Sequence, residues 1–435
     1  MKRRFPRTIT HLAVVFRFTA RRWMRRGLFV VGGLAVGGAA VLMAMAADRA
    51  QIGFSDIVHR WRLAPLVLTP AGFALCALLA RSVFPNSSGS GIPQVIAALR
   101  MRGHPGRERL VSAWVAVGKV VVMTLGLACG ASIGREGPTV QVGAAIMFVI
   151  GRISPYRQPG FVLAGAAAGV AAAFNTPLAG IVFGIEELGR SFEARTSGLI
   201  IGAVIAAGLT ALALFGDYSY FGSTPARLPF GQGWLAMLLC AAICGLVGGA
   251  FTRVVAAVSL GLPGAVGRGF RDHPILFAGG CGLVVALCGV LSGGAVFGTG
   301  YSQARALLDG GPINPWFGPL KFIATVASSI SGIPGGLFSP SLAVGAGLAG
   351  TLAPLLPVAP QGALVLIGMA AFLTGVVQAP ITAFVIVLEM TNDHAMVIPL
   401  MTTALIANAT SKLLSHEGLY HILSRNYLPA ELRHS

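Results

Sequence analysis

The sequence predicts an all-α, polytopic membrane protein with interrupted helices and two related halves. Three observations carry this. Hydrophobic residues make up 55% of the 435 residues, mean hydropathy is +0.78 and charged residues reach only 11%, where soluble domains carry roughly 25%. Apolar segments recur along the chain, and many end in Gly- and Pro-rich turns such as SGSGIP, GREGP, FNTPLAG, SGIPGG and VQAPI. The two halves also align on each other at a nearly constant offset.

Residues 1–26 hold nine Lys/Arg and no acid. A basic flank beside an apolar span follows the positive-inside pattern and predicts a cytoplasmic N-terminal segment. Smaller basic groups stand at Arg102, Arg107 and Arg109 and at Arg425 and Arg433. Such short flanks account for the net charge of +18, and nucleic acid is excluded as a partner because no continuous phosphate-binding footprint is present. Residues 27–47 form an apolar run long enough to span a bilayer, so AMA near its end reads as part of an uncleaved first span rather than a cleavage site.

Further apolar segments lie at about 62–84, 110–130, 137–152, 158–174, 177–188 and 196–215. After a more polar stretch at 217–233 they resume at about 234–259, 275–293, 316–331, 337–355, 361–377, 379–390 and 395–414. The expected organisation is a basic segment (1–26), a first membrane repeat (27–216), a linker (217–233), a second repeat (234–423) and a short cytoplasmic tail (424–435). Several segments are too short to cross a bilayer alone. Broken helices at membrane depth are tolerated only where they are buried in protein or line a cavity.

The repeat is explicit in the residues. GREGPTVQVGA (134–144) aligns with GLFSPSLAVGA (336–346) at an offset of 202, and Lys119 meets Lys321 at the same offset. NTPLAGIVFGIE (175–186) aligns with QAPITAFVIVLE (378–389) at 203, with Pro and Glu coincident. Helix breaks at matching places in two halves point to a transport site between them. The alignment by itself does not distinguish parallel from inverted repeats.

Between residues 110 and 151 the charges are Lys119, Arg135 and Glu136 alone. Charge at membrane depth is costly and marks ion or proton paths. The six cysteines lie in apolar stretches, and neither they nor the eight scattered histidines show metal-ligand spacing, so no metal or cofactor is expected. Helix N-termini offer unpaired N–H groups and a partial positive charge, which attract anions without a formal cation. GSGIP (89–93), GREGP (134–138) and GIPGGLFSP (332–340) each read as such a start, and three of them aimed at one point would hold an anion loosely enough to release it.

Taken in order, these motifs resemble the signatures of the CLC family of chloride channels and chloride/proton exchangers. The resemblance continues through AAAFNTPLAGIVFGIEE (171–187), LEMTND (388–393) and the tyrosine of EGLYHIL (417–423), and so covers nearly the whole chain. It implies a CLC-type fold with two inverted-topology repeats and a homodimer with a pathway in each subunit. Small-residue faces around 177–214 and 379–409 are the expected contact helices. It implies Ser90 and Tyr420 as hydroxyl ligands of the anion, Leu337 and Phe338 as backbone N–H donors, Glu136 as gate and outer proton site, and Glu187 as inner proton site. Lys119 and Arg135 would lend positive potential, and Glu389 would be structural, since Met390 stands where Glu187 stands in the first half.

The function implied is exchange of chloride for protons in a bacterial inner membrane. A passive chloride channel on the same scaffold is the alternative; Glu187 argues against it, since family channels typically lack that acid. A fluoride-selective relative is disfavoured by the unaltered GSGIP. An intramembrane enzyme with Ser90 as nucleophile would need a nearby base, and no histidine stands in the motif segments. Gln94 departs from the family, many of whose members carry an acid there. About fifteen residues remain after Tyr420, so paired nucleotide-binding CBS domains are not expected.

Overall fold

The computed structural model describes residues 7–101, 103–153, 158–189, 194–216, 221–222, 227–312 and 314–432. Side chains before Met24, and the basic positions Arg102 and Arg433, lie outside that description. Among the described residues the structure is helical with no named strand. The first half comprises α1 (Arg7–Arg60), α2 (Pro65–Ser82), α3 (Ile92–Arg100), α4 (Ala113–Ala128), α5 (Glu136–Gly151), α6 (Gln158–Phe174), α7 (Pro177–Phe183) and α8 (Ala194–Phe215). The second comprises α9 (Gln232–Leu260), α10 (Gly264–Asp272), α11 (Pro274–Leu291), α12 (Tyr301–Leu308), α13 (Phe317–Ile330), α14 (Phe338–Leu352), α15 (Gln361–Val377), α16 (Pro380–Thr391), α17 (Val397–Ser411) and α18 (Leu419–Ser424).

Among the described residues six helices are long and apolar enough to cross a bilayer, and six further apolar helices have 10–17 residues. Three short helices, α3, α7 and α16, begin where proline takes the first turn. Proline lacks the N–H that a helix start leaves unpaired anyway, so it fixes the start without loss. Helix α1 enters from the basic segment and continues past the expected span to Arg60. Large apolar side chains such as Val67, Leu276 and Leu291 stand exposed on the outer surface, as a lipid-facing belt requires.

The two halves pack in the same way. α5 lies on α6 as α14 lies on α15; α1 lies on α8 as α9 lies on α17. Gly143 and Gly165 bring α5 and α6 into backbone contact, since a Cβ on either would strike the other's carbonyl, and Gly345 and Gly368 do the same for α14 and α15. Close approach through small residues is how helices associate where no water drives them together.

Equivalent elements also touch one another: α2 meets α11, α5 meets α14 and α7 meets α16. Gly134 and Gly336 exchange backbone hydrogen bonds of 2.8 and 2.7 Å. Self-pairing of equivalent residues is the mark of a two-fold axis. Helices α5 and α14 start on either side of it and part, as inverted-topology repeats do.

Two charged pairs repeat the symmetry. Glu186 accepts from the N–H groups of Ile381 and Thr382 at 3.2 and 2.7 Å and from the Thr382 hydroxyl at 2.8 Å. Glu389 accepts from the N–H groups of Leu178 and Ala179 at 3.1 and 2.6 Å. Each half thus caps the other's short helix with a carboxylate, where the helix dipole favours negative charge. Glu389 is structural in this sense, and Glu186 is its counterpart.

Candidate functional site

Three loops are laced together around the two-fold axis. Gly89 donates to Ile333 at 3.2 Å and accepts from Gly335 at 3.1 Å, while Gly134 and Gly336 pair beside them. The starts of α3, α5 and α14 are therefore fixed relative to one another by backbone bonds. A Cβ at Gly137 would come 2.5 Å from the Ser90 hydroxyl and 3.2 Å from Cα of Gly336. The first turns of α5 and α14 and the Ser90 loop accordingly meet at one point. Leu337 caps α14 and Phe338 opens it, so their N–H groups are among the donors that no helical carbonyl takes up.

Tyr420 stands on the short helix α18 and is fully buried. Its ring lies 5.9 Å from that of Phe338, which also meets Phe174 and Phe183 edge-on. Its hydroxyl faces Ser90 and lies within electrostatic reach of Glu187 and Glu136. Neither the Ser90 nor the Tyr420 hydroxyl makes a well-formed hydrogen bond, the two being at most weakly paired with each other. A buried hydroxyl without a partner costs about 1–3 kcal/mol, and two of them facing each other suit a spherical acceptor between them.

Glu136 is the first residue of α5 and is completely buried. The Ser339 hydroxyl donates to its Oε1 at 2.5 Å, while Oε2 has no hydrogen-bond partner. Glu187 is buried in the π turn Gly184–Leu188 that ends α7. The turn sends consecutive glutamates to different sides: Glu186 outward to α16, Glu187 inward. His421, next to Tyr420, has Nε2 3.7 Å from Glu187 Oε1.

The structure brings Ser90, Glu136, Leu337, Phe338 and Tyr420 together, with Glu187 near the Tyr420 side. Lys119 and Arg135 stand behind them. The buried Lys119 ammonium donates to the carbonyls of Ser88 and Gly89 at 3.2 and 2.9 Å. Its counterpart Lys321 holds the carbonyls of Val296 and Gly298, both at 2.8 Å. Each lysine therefore ties down the loop before a short helix, α3 or α12. Arg135 turns to α1, donating to the Ala44 carbonyl at 3.1 Å and to Asp48 at 2.9 Å. Gln94 donates its amide to the Ser88 carbonyl at 2.6 Å, a bond an ionised carboxylate could not make.

Sequence reasoning missed Ser339, Asp48 and His421. Ser339 lies inside a quoted motif, and the offset that aligns Leu337 with Arg135 also sets Phe338 on Glu136, one step from it. Asp48 and His421 carry no such signal, because their partners lie in distant segments. Among the described residues no cluster of three His, Cys, Asp or Glu is placed to hold a metal ion.

Comparison with known proteins agrees with this geometry. Residues 72–412 match the family described as voltage gated chloride channel. An H(+)/Cl(-) exchange transporter ClcA of Yersinia pestis bv. Antiqua (strain Angola) is 32% identical over 400 residues, covering 84% of this chain and 80% of the relative. The ClcA of Vibrio parahaemolyticus serotype O3:K6 (strain RIMD 2210633) is 30% identical over 415 residues, covering 88% and 84%. Among solved structures, a slow cyanobacterial Cl-/H+ antiporter superposes with a TM-score of 0.80 at 23% identity, over 93% of this chain and 98% of that one. A CLC-type fluoride/proton antiporter superposes with a TM-score of 0.74 at 22% identity, over 94% and 98%. At these identities the solved structures establish the fold.

Proposed function

This chain belongs to the voltage gated chloride channel family, the CLC family, and on that premise we propose that it exchanges chloride for protons across a membrane. One observation carries the reading: the buried Tyr420 hydroxyl is set against Ser90 and lies within electrostatic reach of both acids, Glu187 and Glu136. An anion site and two proton acceptors therefore share one buried neighbourhood.

In this reading chloride sits between the hydroxyls of Ser90 and Tyr420, with N–H groups at the start of α14 adding attraction without a fixed cation. Ionised, Glu136 imitates an anion at the head of α5 and is steadied there by Ser339. Protonated, it loses that attraction and frees the path. Anion and proton occupancy are linked because the carboxylate and the chloride compete for the same donors. Glu187 supplies the inner proton, where the anion and proton routes part. Ser90 and Tyr420 hold the anion branch, and they offer no strong base to carry protons along it.

The domain limits above, cytoplasmic termini and a bacterial inner membrane complete the proposal. So does a homodimer through α7, α8, α16 and α17. Exposed apolar side chains on that face, including Leu178, Ile205, Leu209, Ile381, Ile398 and Leu405, support it. The test is reconstitution into sealed liposomes under an outward chloride gradient. Protons should move inward against their own gradient as chloride leaves. Chloride efflux with no proton movement would leave a passive pathway instead.

A further inference from the structure

Glu187 has a neighbour that the mechanism above leaves unused. His421 is buried, with Nε2 facing Glu187. Its other ring nitrogen, Nδ1, lies 3.3 Å from Nη2 of Arg100, the last residue of α3. Arg100 is exposed, Glu187 is sealed, and the imidazole stands between them. A guanidinium only donates, so the nitrogen facing it accepts. The ring proton of the neutral imidazole then sits on Nε2, on the side of Glu187.

The elements packed against α18 include α3, α9, α15 and the turn Arg425–Tyr427. Helix α15 carries no titratable group, and Arg253 of α9 points outward, exposed. Arg425 is engaged by Glu417 at 2.7 Å, and Tyr427 faces Ser88. Arg100 and Glu187 are charged groups set against the ring on its two sides.

We propose that His421 is the relay through which protons pass between the water at Arg100 and Glu187; this rests on the exchange reading above. As Arg100 withdraws, a proton from water bonds to Nδ1. The Nε2–H bond breaks with its electron pair left on the ring, and an O–H bond forms at Glu187. The ring ends neutral with its proton on Nδ1, and Glu187 ends protonated and neutral; a ring flip then turns that N–H toward Glu187 and leaves the bare nitrogen for Arg100 to re-engage. A small swing of the side chain closes the 3.7 Å gap to hydrogen-bond reach. Arg100, by occupying Nδ1, holds the relay shut between cycles.

The experiment measures proton and chloride movement together in liposomes for wild type, Glu187→Gln, His421→Gln and His421→Ala. His421→Gln should lower protons moved per chloride by about a hundredfold, the lower end of what a positioned acid–base group contributes. Added imidazole should restore proton movement in His421→Ala, which a purely structural role would not allow. If His421→Gln loses chloride transport as well, imidazole rescue of His421→Ala decides, and no rescue overturns the relay. If Glu187→Gln uncouples the protein while His421→Gln keeps wild-type stoichiometry, the relay alone is wrong. If both variants stay fully coupled, the role of Glu187 falls with it.

Discussion

Ser339 of the second repeat donates a 2.5 Å hydrogen bond to Glu136 of the first, and both side chains are buried. The bond crosses the two-fold axis at the place where the Gly134–Gly336 pairing joins the halves. It is a clasp on the residue assigned as the gate, and it gives that residue a definite resting position.

Loosening the clasp should favour the anion. A hydrogen bond to a charged group contributes about 1.5–3 kcal/mol, and about 1.4 kcal/mol is tenfold in an equilibrium. Ser339→Ala should therefore raise apparent chloride affinity roughly tenfold and lower protons moved per chloride, while Ser339→Thr should resemble wild type. Chloride titration of initial flux rates checks this. Unchanged affinity in the alanine variant would show that the bond does not restrain the gate.

Glu136→Gln removes the charge at every pH. Chloride flux should persist, lose most of its pH dependence and carry no protons. Flux measured from pH 4 to 8 alongside a proton electrode tests this, and uphill proton pumping by the variant would contradict the assignment.

Ser90→Pro deletes one of the two facing hydroxyls. A spherical anion loses a donor that a planar oxyanion uses less well, so proton coupling to nitrate should rise relative to chloride. An unchanged nitrate-to-chloride ratio would place selectivity elsewhere.

Glu186 and Glu389 should behave as a matched structural pair. Glu186→Gln and Glu389→Gln each weaken a carboxylate cap on two backbone N–H groups, costing about 1–2 kcal/mol apiece. Thermal unfolding in detergent should show similar downward shifts, with stoichiometry retained in both. Loss of coupling in Glu186→Gln alone would move the inner proton role from Glu187 to its neighbour.

The sequence carried the architecture because repeated constraints leave repeated residues. The offset of 202–203 that relates Gly134 to Gly336, Lys119 to Lys321 and Glu186 to Glu389 is the same two-fold that pairs glycines, tethers loops and exchanges caps. The reciprocity itself was not legible, since an alignment shows equivalence and not contact. Arg135 beside Glu136 suggests an ion pair along the chain, yet its guanidinium reaches Asp48 on α1. His421 meets Arg100 across 321 positions, and only the docking of α18 against α3 brings them together.

The central claim is that chloride and protons are mechanically linked, and one measurement tests it most directly. Liposomes holding the wild-type protein are clamped at the chloride equilibrium potential while a proton gradient is imposed. Coupled exchange predicts chloride movement away from its equilibrium, in the direction opposite to the protons and abolished in Glu136→Gln. Chloride flux that vanishes at that voltage whatever the proton gradient would contradict the exchange mechanism.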